Sequence, residues 1–146
     1  MIDATSLRRF VYDRITATGR PPLLADIAAN FNVTPGVSRD AIGSLNIGKT
    51  ILPHLQTGEI RMAGPFSADP TPYKVRCGGV TYYANCAWDM LGIPAMLDRP
   101  ADIDTVCTDC GFQMAMTVDP IKGPSIDGVV HFLLPARRWY DDIGIT

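Results

Sequence analysis

The sequence predicts an α+β protein in two parts. A winged-helix-like helical domain is expected over residues 1–66, and a small mixed β-sheet domain with short helices over residues 73–146. Apolar residues recur at helical spacing through most of the first fifty positions. Beyond them, short alternating segments bounded by Gly, Pro and Asn are typical of strands. The intervening residues 67–72 are rich in Pro and small side chains, which indicates a hinge.

The first part is predicted as three helices followed by two strands. These are expected at residues 6–18, 23–31, 38–52, 58–62 and 73–76. Ser38 is expected to cap the third helix, which runs toward Leu52. Helices followed by strands in this order indicate a winged helix. The third helix carries Arg39 and Lys49 but also Asp40, and no Arg/Lys cluster, so its charge favours a structural or pocket-building unit over a DNA reader.

The second part is predicted as strands interrupted by short helices. Strands are expected at residues 73–76, 80–83, 103–107, 112–118 and 129–134, short helices near 86–92, 95–97 and 135–142, and the start of a further strand at 143–146. Residues 77–79 are expected to form a hairpin turn. The apolar run 129–134 suits a buried strand, with His131 within it. Because the sequence stops as an apolar element begins, we expect this part to be incomplete.

Composition excludes several classes of protein. The formal net charge of −2 argues against a nucleic-acid partner. No apolar run approaches the ~20 residues that a membrane span needs. The first residues lack the basic start and apolar core of a signal peptide, which predicts a cytoplasmic location, where disulfides are rare. The four cysteines are therefore expected to be thiols, metal ligands or catalytic groups.

The stretch 82–89 places a thiol and a carboxyl a short, fixed step apart. Asn85 is expected to cap a short helix that ends at residues 92–94, which makes Cys86 its first residue. The helix dipole there favours a thiolate. Asp89, three residues on, shares the same helix face. A buried structural cysteine beside a capping aspartate remains an equally open interpretation.

A second candidate is the Cys-x-x-Cys-Gly sequence at residues 107–111. Such a knuckle supplies two thiolates of a tetrahedral zinc site, but a second knuckle is missing, since Cys77 and Cys86 are nine residues apart. A redox site expects this motif at the start of a helix, whereas strand patterns flank it here. The spacing therefore favours a turn with partly buried Cys107 and Cys110 over a structural zinc site.

Several segments share one resemblance. They are Gly-Glu-Ile-Arg-Met-Ala-Gly-Pro-Phe-Ser at 58–67, Pro-Thr-Pro at 70–72, Tyr-Ala-Asn-Cys-Ala-Trp-Asp at 83–89, Leu-Gly-Ile-Pro-Ala at 91–95, Cys107, and His-Phe-Leu-Leu-Pro at 131–135. With these segments, residues 22–146 resemble the alkylmercury lyase (organomercurial lyase) family. The Cys-x-x-Asp stretch with its flanks is the most specific of them.

This resemblance implies an enzyme that breaks a carbon–mercury bond. It implies that Cys86 captures mercury, which is soft and prefers thiolate, and that Asp89 delivers a proton to the departing carbon. A carboxyl near a thiolate in a dry pocket is expected to have a raised pKa. Cys107 matches a cysteine regarded as structural. No cofactor is implied; Hg(II) is the bound product, and an external thiol releases it.

The sequence departs from this family at one functional position. The family's second catalytic cysteine follows a segment like residues 139–146, and this sequence has no cysteine there. Three explanations stay open. The group lies beyond Thr146, the lyase activity has been lost, or Cys77, Cys107 or Cys110 supplies the second thiol.

Three functions therefore compete. The first is protonolysis of a small organomercurial by Cys86 and Asp89. The second is a soft-metal binding or sensing module for Hg, Zn or Cu, with Cys86, Cys107 and Cys110 as ligands. The third is a winged-helix transcription factor with a ligand-binding tail, against which the negative net charge counts.

Overall fold

The protein is described by a computed structural model that covers residues 1–46, 49–132 and 134–139. The helices are Ala4–Thr18 (α1), Leu24–Phe31 (α2), Pro35–Leu45 (α3) and Ala87–Leu97 (α4). The strands are Ile51–Pro53 (β1), Ile60–Ala63 (β2), Phe66–Ser67 (β3), Lys74–Cys77 (β4), Val80–Ala84 (β5), Ala101–Val106 (β6), Gln113–Asp119 (β7) and Gly123–Pro124 (β8). A 3-10 turn at Ala136–Arg138 follows.

The strands form one sheet in the order β1-β2-β3-β5-β4-β6-β7-β8. The predicted α+β class is confirmed, but the expected mixed sheet is wrong, because every strand pair among the described residues is antiparallel. Most neighbouring strands are joined by short connections, which allow only antiparallel pairing. The sheet also continues across the predicted hinge, since β3 pairs with β2 on one side and with β5 on the other.

Helix α1 agrees with its predicted segment because local caps and apolar periodicity coincide. The carboxylate of Asp3 accepts the amide of Ser6 at 2.8 Å, and Gly19 ends the helix with φ +76° while its amide donates to Ile15. Leu7, Val11 and Ile15 form the buried face and join the core, together with residues from α2, α3, α4 and the sheet.

Helix α3 differs from its predicted bounds at both ends. It begins one turn earlier, because Thr34 rather than Ser38 is the N-cap, with its hydroxyl accepting the amide of Val37 at 3.4 Å. Pro35 stands at the first helical position, which proline favours. The helix ends at Leu45, and β1 occupies part of the segment expected to be helical. The strands predicted at 58–62 and 73–76 correspond to β2 and β4, β1 was not predicted, and the winged-helix description stays a prediction.

The β4–β5 hairpin is confirmed at the predicted turn. Gly78 and Gly79 link the strands with φ of +58° and +81°, as a two-residue turn with both central residues in the left-handed region requires. On the other side of β4, strand β6 is also antiparallel to it, so β5 and β6 run in the same direction. They are joined through α4, and β4 lies between them.

Helix α4 continues through the residues expected to end it. It runs to Leu97 with Pro94 inside it, so the predicted break at residues 92–94 and the separate helix at 95–97 are wrong. Proline inside a helix costs about 3 kcal/mol in isolation. Here Ile93 and Pro94 are both fully buried in the core, and this packing offsets the lost hydrogen bond. The helix ends at Asp98, which has φ +50°.

The apolar run 129–134 is not a strand in its described residues. Val129 is 93% exposed and His131 is also exposed, so the predicted buried strand is wrong. Apolar composition alone does not make a strand, and the described residues of this run pair with no strand of the sheet. The expected turn at 135–142 is present as far as the described part extends. The predicted strand at 143–146 lies outside the described residues.

Among the described helices, none is both long and apolar enough to cross a membrane.

Candidate functional site

The Cys-x-x-Asp stretch lies where β5 ends and α4 begins. Cys86 is the N-cap, with extended φ of −150° and ψ of 177°, and Ala87 is the first helical residue. Asn85 is therefore not the cap that the sequence predicts. Its backbone amide and its side-chain Nδ2 both donate to the carbonyl oxygen of Pro65, at 3.3 Å and 2.9 Å. This pair of hydrogen bonds fixes the start of α4 against the loop before β3.

Asp89 lies in the first turn of α4 and contacts Asn85. The Asn85 Nδ2 is 3.3 Å from Asp89 Oδ2, so one amide group contacts both Pro65 and the carboxyl. Burial raises the pKa of Asp89 above its usual value, although the hydrogen bonds from Asn85 and Cys86 partly oppose the shift. The direction is the one the sequence predicts, and its cause is removal from water. The carboxyl therefore holds its proton to higher pH than an exposed aspartate.

Cys86 is half-buried, and the Asp89 side chain is near enough to affect the pKa of its thiol. Burial raises the pKa of its thiol, and the neighbouring Asp89 charge acts in the same direction. The amides of Asp89 and Trp88 lower the pKa, as expected at a helix N-terminus, but burial is the larger effect. The sequence analysis predicted that the helix dipole would favour a thiolate at Cys86. This prediction is wrong, because the pKa of the thiol is raised and not lowered.

The Cys-x-x-Cys motif forms the turn between β6 and β7. The Cys107 amide donates to the Phe112 carbonyl, and the Gly111 amide donates to the Cys107 carbonyl, both at 2.8 Å. The neighbouring amides of Cys110 and Asp109, together with the Cys110 side chain, lower the pKa of Cys107. Cys107 is half-buried and Cys110 is exposed. The turn predicted from spacing is thus present.

The sheet places both cysteine sites at the same end. Strands β5 and β6 run in the same direction, and Cys86 and Cys107 follow their respective last residues. Because β4 separates these strands, they lie about 10 Å apart across the sheet. Among the residues that the structure describes, no three His, Cys, Asp or Glu side chains are grouped so as to hold a metal ion. The predicted ligand set is therefore divided into Cys86 on one side and the Cys107–Cys110 pair on the other.

Cys77, the remaining thiol, is in the core. It is 3% exposed, its sulfur lies 3.8 Å from the carbonyl oxygen of Arg99, and burial raises its pKa. Such a thiol is remote from solvent and packs as a small apolar residue. Of the three thiols predicted as stand-ins for the second catalytic cysteine, Cys77 is thus the least accessible.

A cavity of about 520 Å³ that the sequence analysis missed lies beside α1, α2 and the β1–β2 turn. Arg14, Arg20, His54 and Asp69 are among its lining residues, and His54 Nε2 lies 3.4 Å from Asp69 Oδ2. These residues are far apart in the sequence and follow no motif spacing. The only sequence signal of a polar surface here is that these charged or polar residues lie near predicted turns.

Comparison with known proteins identifies relatives of one kind. The sequence model of the alkylmercury lyase family matches residues 66–144. An alkylmercury lyase of Streptomyces lividans is 30% identical over 125 residues, which cover 84% of this chain and 56% of that protein. That of Staphylococcus epidermidis is 34% identical over 69 residues, 45% of this chain and 32% of the relative. The alkylmercury lyase of Bacillus cereus is 26% identical over 129 residues, which cover 86% of this chain and 50% of that protein. The chain thus spans about half the length of the curated relatives it matches.

A solved structure shares the fold. The crystal structure of the mercury-bound form of MerB2 superposes with a TM-score of 0.62 at 20% sequence identity. The match covers 80% of this chain and 56% of that one. At this level of identity the likeness establishes the arrangement of helices and sheet, which agrees with the antiparallel sheet and the helices described above.

Proposed function

This chain belongs to the alkylmercury lyase family, and we propose that it cleaves the carbon–mercury bond of a small organomercurial by protonolysis. The observation that carries the proposal is that the Cys86 thiol and the Asp89 carboxyl are neighbours at the half-buried start of α4, where each group affects the pKa of the other. A soft nucleophile and a proton donor are the two groups that this reaction needs.

The proposed reaction needs only the Cys86 thiol and the Asp89 carboxyl of the protein. When the Cys86 sulfur binds the mercury of an alkylmercury salt, the thiol gives up its proton to the adjacent Asp89 carboxylate. The carbon–mercury bond then breaks, and its electron pair takes that proton from the carboxyl as the hydrocarbon leaves. The net change is one S–H and one C–Hg bond lost, and one S–Hg and one C–H bond gained. No metal ion or organic cofactor is needed for this exchange.

Burial of the pair supports both steps. A raised pKa allows Asp89 to take up the thiol proton and to hold it until the carbon becomes basic. Asn85, which is itself fixed by Pro65, keeps the carboxyl oriented toward the sulfur side of the helix. Hg(II) left on Cys86 is proposed to leave by exchange with an external thiol, which also supplies the second sulfur that mercury prefers.

Two broader expectations continue as part of this proposal. The helices α1–α3 with β1 and β2 are inferred to be a winged-helix-like unit that supports the sheet and does not bind nucleic acid, since α3 carries no cluster of Arg or Lys. A cytoplasmic location fits an enzyme that needs free thiols and an external thiol for turnover.

The test is release of hydrocarbon from an alkylmercury salt in the presence of excess monothiol, followed by gas chromatography of the headspace. Turnover should be lost in Cys86→Ser and in Asp89→Asn, while the exposed carboxyl control Asp109→Asn should retain it. Circular dichroism shows whether each variant is folded. Stoichiometric capture of mercury without any hydrocarbon, or full activity in Asp89→Asn, would overturn the proposal.

A further inference from the structure

The β6–β7 turn carries two thiols that the proposed reaction does not use. The turn brings Cys107 and Cys110 to the same tight loop, which is closed at its base by two backbone hydrogen bonds of 2.8 Å. Gly111 has φ +73°, and this left-handed residue lets the chain return into β7 directly after the second cysteine. The thiol pair is therefore fixed by the backbone and does not depend on a distant segment.

The Cys-x-x-Cys-Gly turn has the sequence and the backbone closure of a metal-binding knuckle, with both cysteines in one tight loop. Cys110 is exposed, so an arriving ion can reach the pair. A tetrahedral ion such as Zn(II) requires four ligands, and the described residues offer no third one here. The geometry thus fits an ion that is satisfied by two sulfurs.

We propose that Cys107 and Cys110 form a two-thiolate binding site for a soft metal ion that accepts two ligands, Hg(II) or Cu(I), separate from Cys86. Hg(II) arriving as a complex with two monothiols exchanges its ligands at this site. Two sulfur–mercury bonds to the carrier break, two bonds to Cys107 and Cys110 form, and the two protein thiol protons pass to the released monothiols. No atom is oxidised or reduced, and the site does not depend on lyase activity.

The experiment uses the full chain carrying Cys86→Ser, which removes the proposed catalytic thiol. Hg(II) is added as its 2-mercaptoethanol complex in excess monothiol, and native mass spectrometry counts the ions retained. We expect one Hg(II) per chain. Adding Cys110→Ser should weaken retention by about 10²-fold or more, because the second thiol acts at high effective concentration. Thr108→Ser, in the same turn, keeps both thiols and should retain the ion.

A second measurement identifies the sulfurs. Bound Hg(II) should protect Cys107 and Cys110 together from alkylation by iodoacetamide, with each modified site assigned by peptide mass spectrometry. Cu(I) should protect the same pair, while Zn(II) should be lost to the competing monothiol.

Three results would overturn the site. Loss of all tight Hg(II) binding in Cys86→Ser would show a site shared with Cys86. Protection of one cysteine alone would exclude a two-thiolate clamp. Retention of Zn(II) as strong as that of Hg(II) would require further ligands. Because Cys86 is absent throughout, none of these results bears on whether the lyase reaction occurs.

Discussion

The contact between α1 and β5 allows a quantitative test of how the scaffold holds the site. Gly19 ends α1 with φ +76°, and a Cβ added there would overlap the backbone oxygen of Thr81 and lie 3.2 Å from the Val80 Cγ1 atom. The two elements are also joined by a 2.7 Å hydrogen bond from the Tyr82 hydroxyl to the carbonyl of Thr16. Strand β5 leads directly to Cys86, so a shift of this strand displaces the site.

Gly19→Ala combines two costs. A side chain in the left-handed region costs about 1–2 kcal/mol. Forcing the helix end away from a strand backbone costs about 1–3 kcal/mol more, as in an overpacked core. Gly79→Ala is the matched control, because Gly79 has φ +81° but has nothing within 4 Å of the added Cβ. We expect a loss of about 2–5 kcal/mol in the free energy of unfolding for Gly19→Ala, against about 1–2 kcal/mol for Gly79→Ala.

Urea unfolding followed by circular dichroism measures both variants against the parent chain under the same conditions. The difference between them isolates the contact with Thr81, since the backbone term is common. Equal losses in the two variants would refute the reasoning, because the close approach of α1 to β5 would then contribute nothing.

Two further predictions concern α4. Burial raises the pKa of Asp89, so the native state binds more protons than the unfolded state from about pH 4 upward, and stability falls as pH rises toward the native pKa. The free energy of unfolding of Asp89→Asn should therefore rise relative to that of the parent as pH rises through this window. Urea titrations at several pH values measure this difference, and a difference that does not change with pH would contradict the prediction. Ile93→Ala should cost about 2–5 kcal/mol, because Ile93 is 0% exposed, whereas Met96→Ala, at a side chain 51% exposed, should cost about 0.5 kcal/mol or less. Thermal unfolding checks this pair, and equal shifts would show that α4 does not dock through Ile93.

Local signals in the sequence were sufficient where a single element decides its own structure. The apolar spacing of α1 and the two glycines of the β4–β5 turn predicted those elements, because caps, periodicity and left-handed residues act over a few positions. Proximity of Cys86 and Asp89 also follows from helix geometry alone. The Cys107–Cys110 turn likewise follows from a local signal, the Cys-x-x-Cys-Gly spacing.

Tertiary packing decided the features that the sequence could not predict. Pro94 stays helical because its neighbours are buried, and the pKa of Cys86 is raised because burial outweighs the helix dipole. Asn85 lies one residue before the cap, and its two donors are held by the Pro65 carbonyl, twenty residues earlier. Each outcome depends on groups distant in sequence.

The hydrogen bonds from Asn85 to Pro65 have a consequence for how the protein can be divided. A fragment that starts at residue 73 would carry Cys86 and Asp89 but lack the carbonyl that anchors Asn85, and β5 would lose β3 as a neighbour. The pair that we propose to be reactive would then stand on an unsupported helix start beside an open sheet edge. The first half of the chain thus supports the position of the proposed reactive pair. A graft of the second half onto another scaffold would have to supply an equivalent of the Pro65 carbonyl.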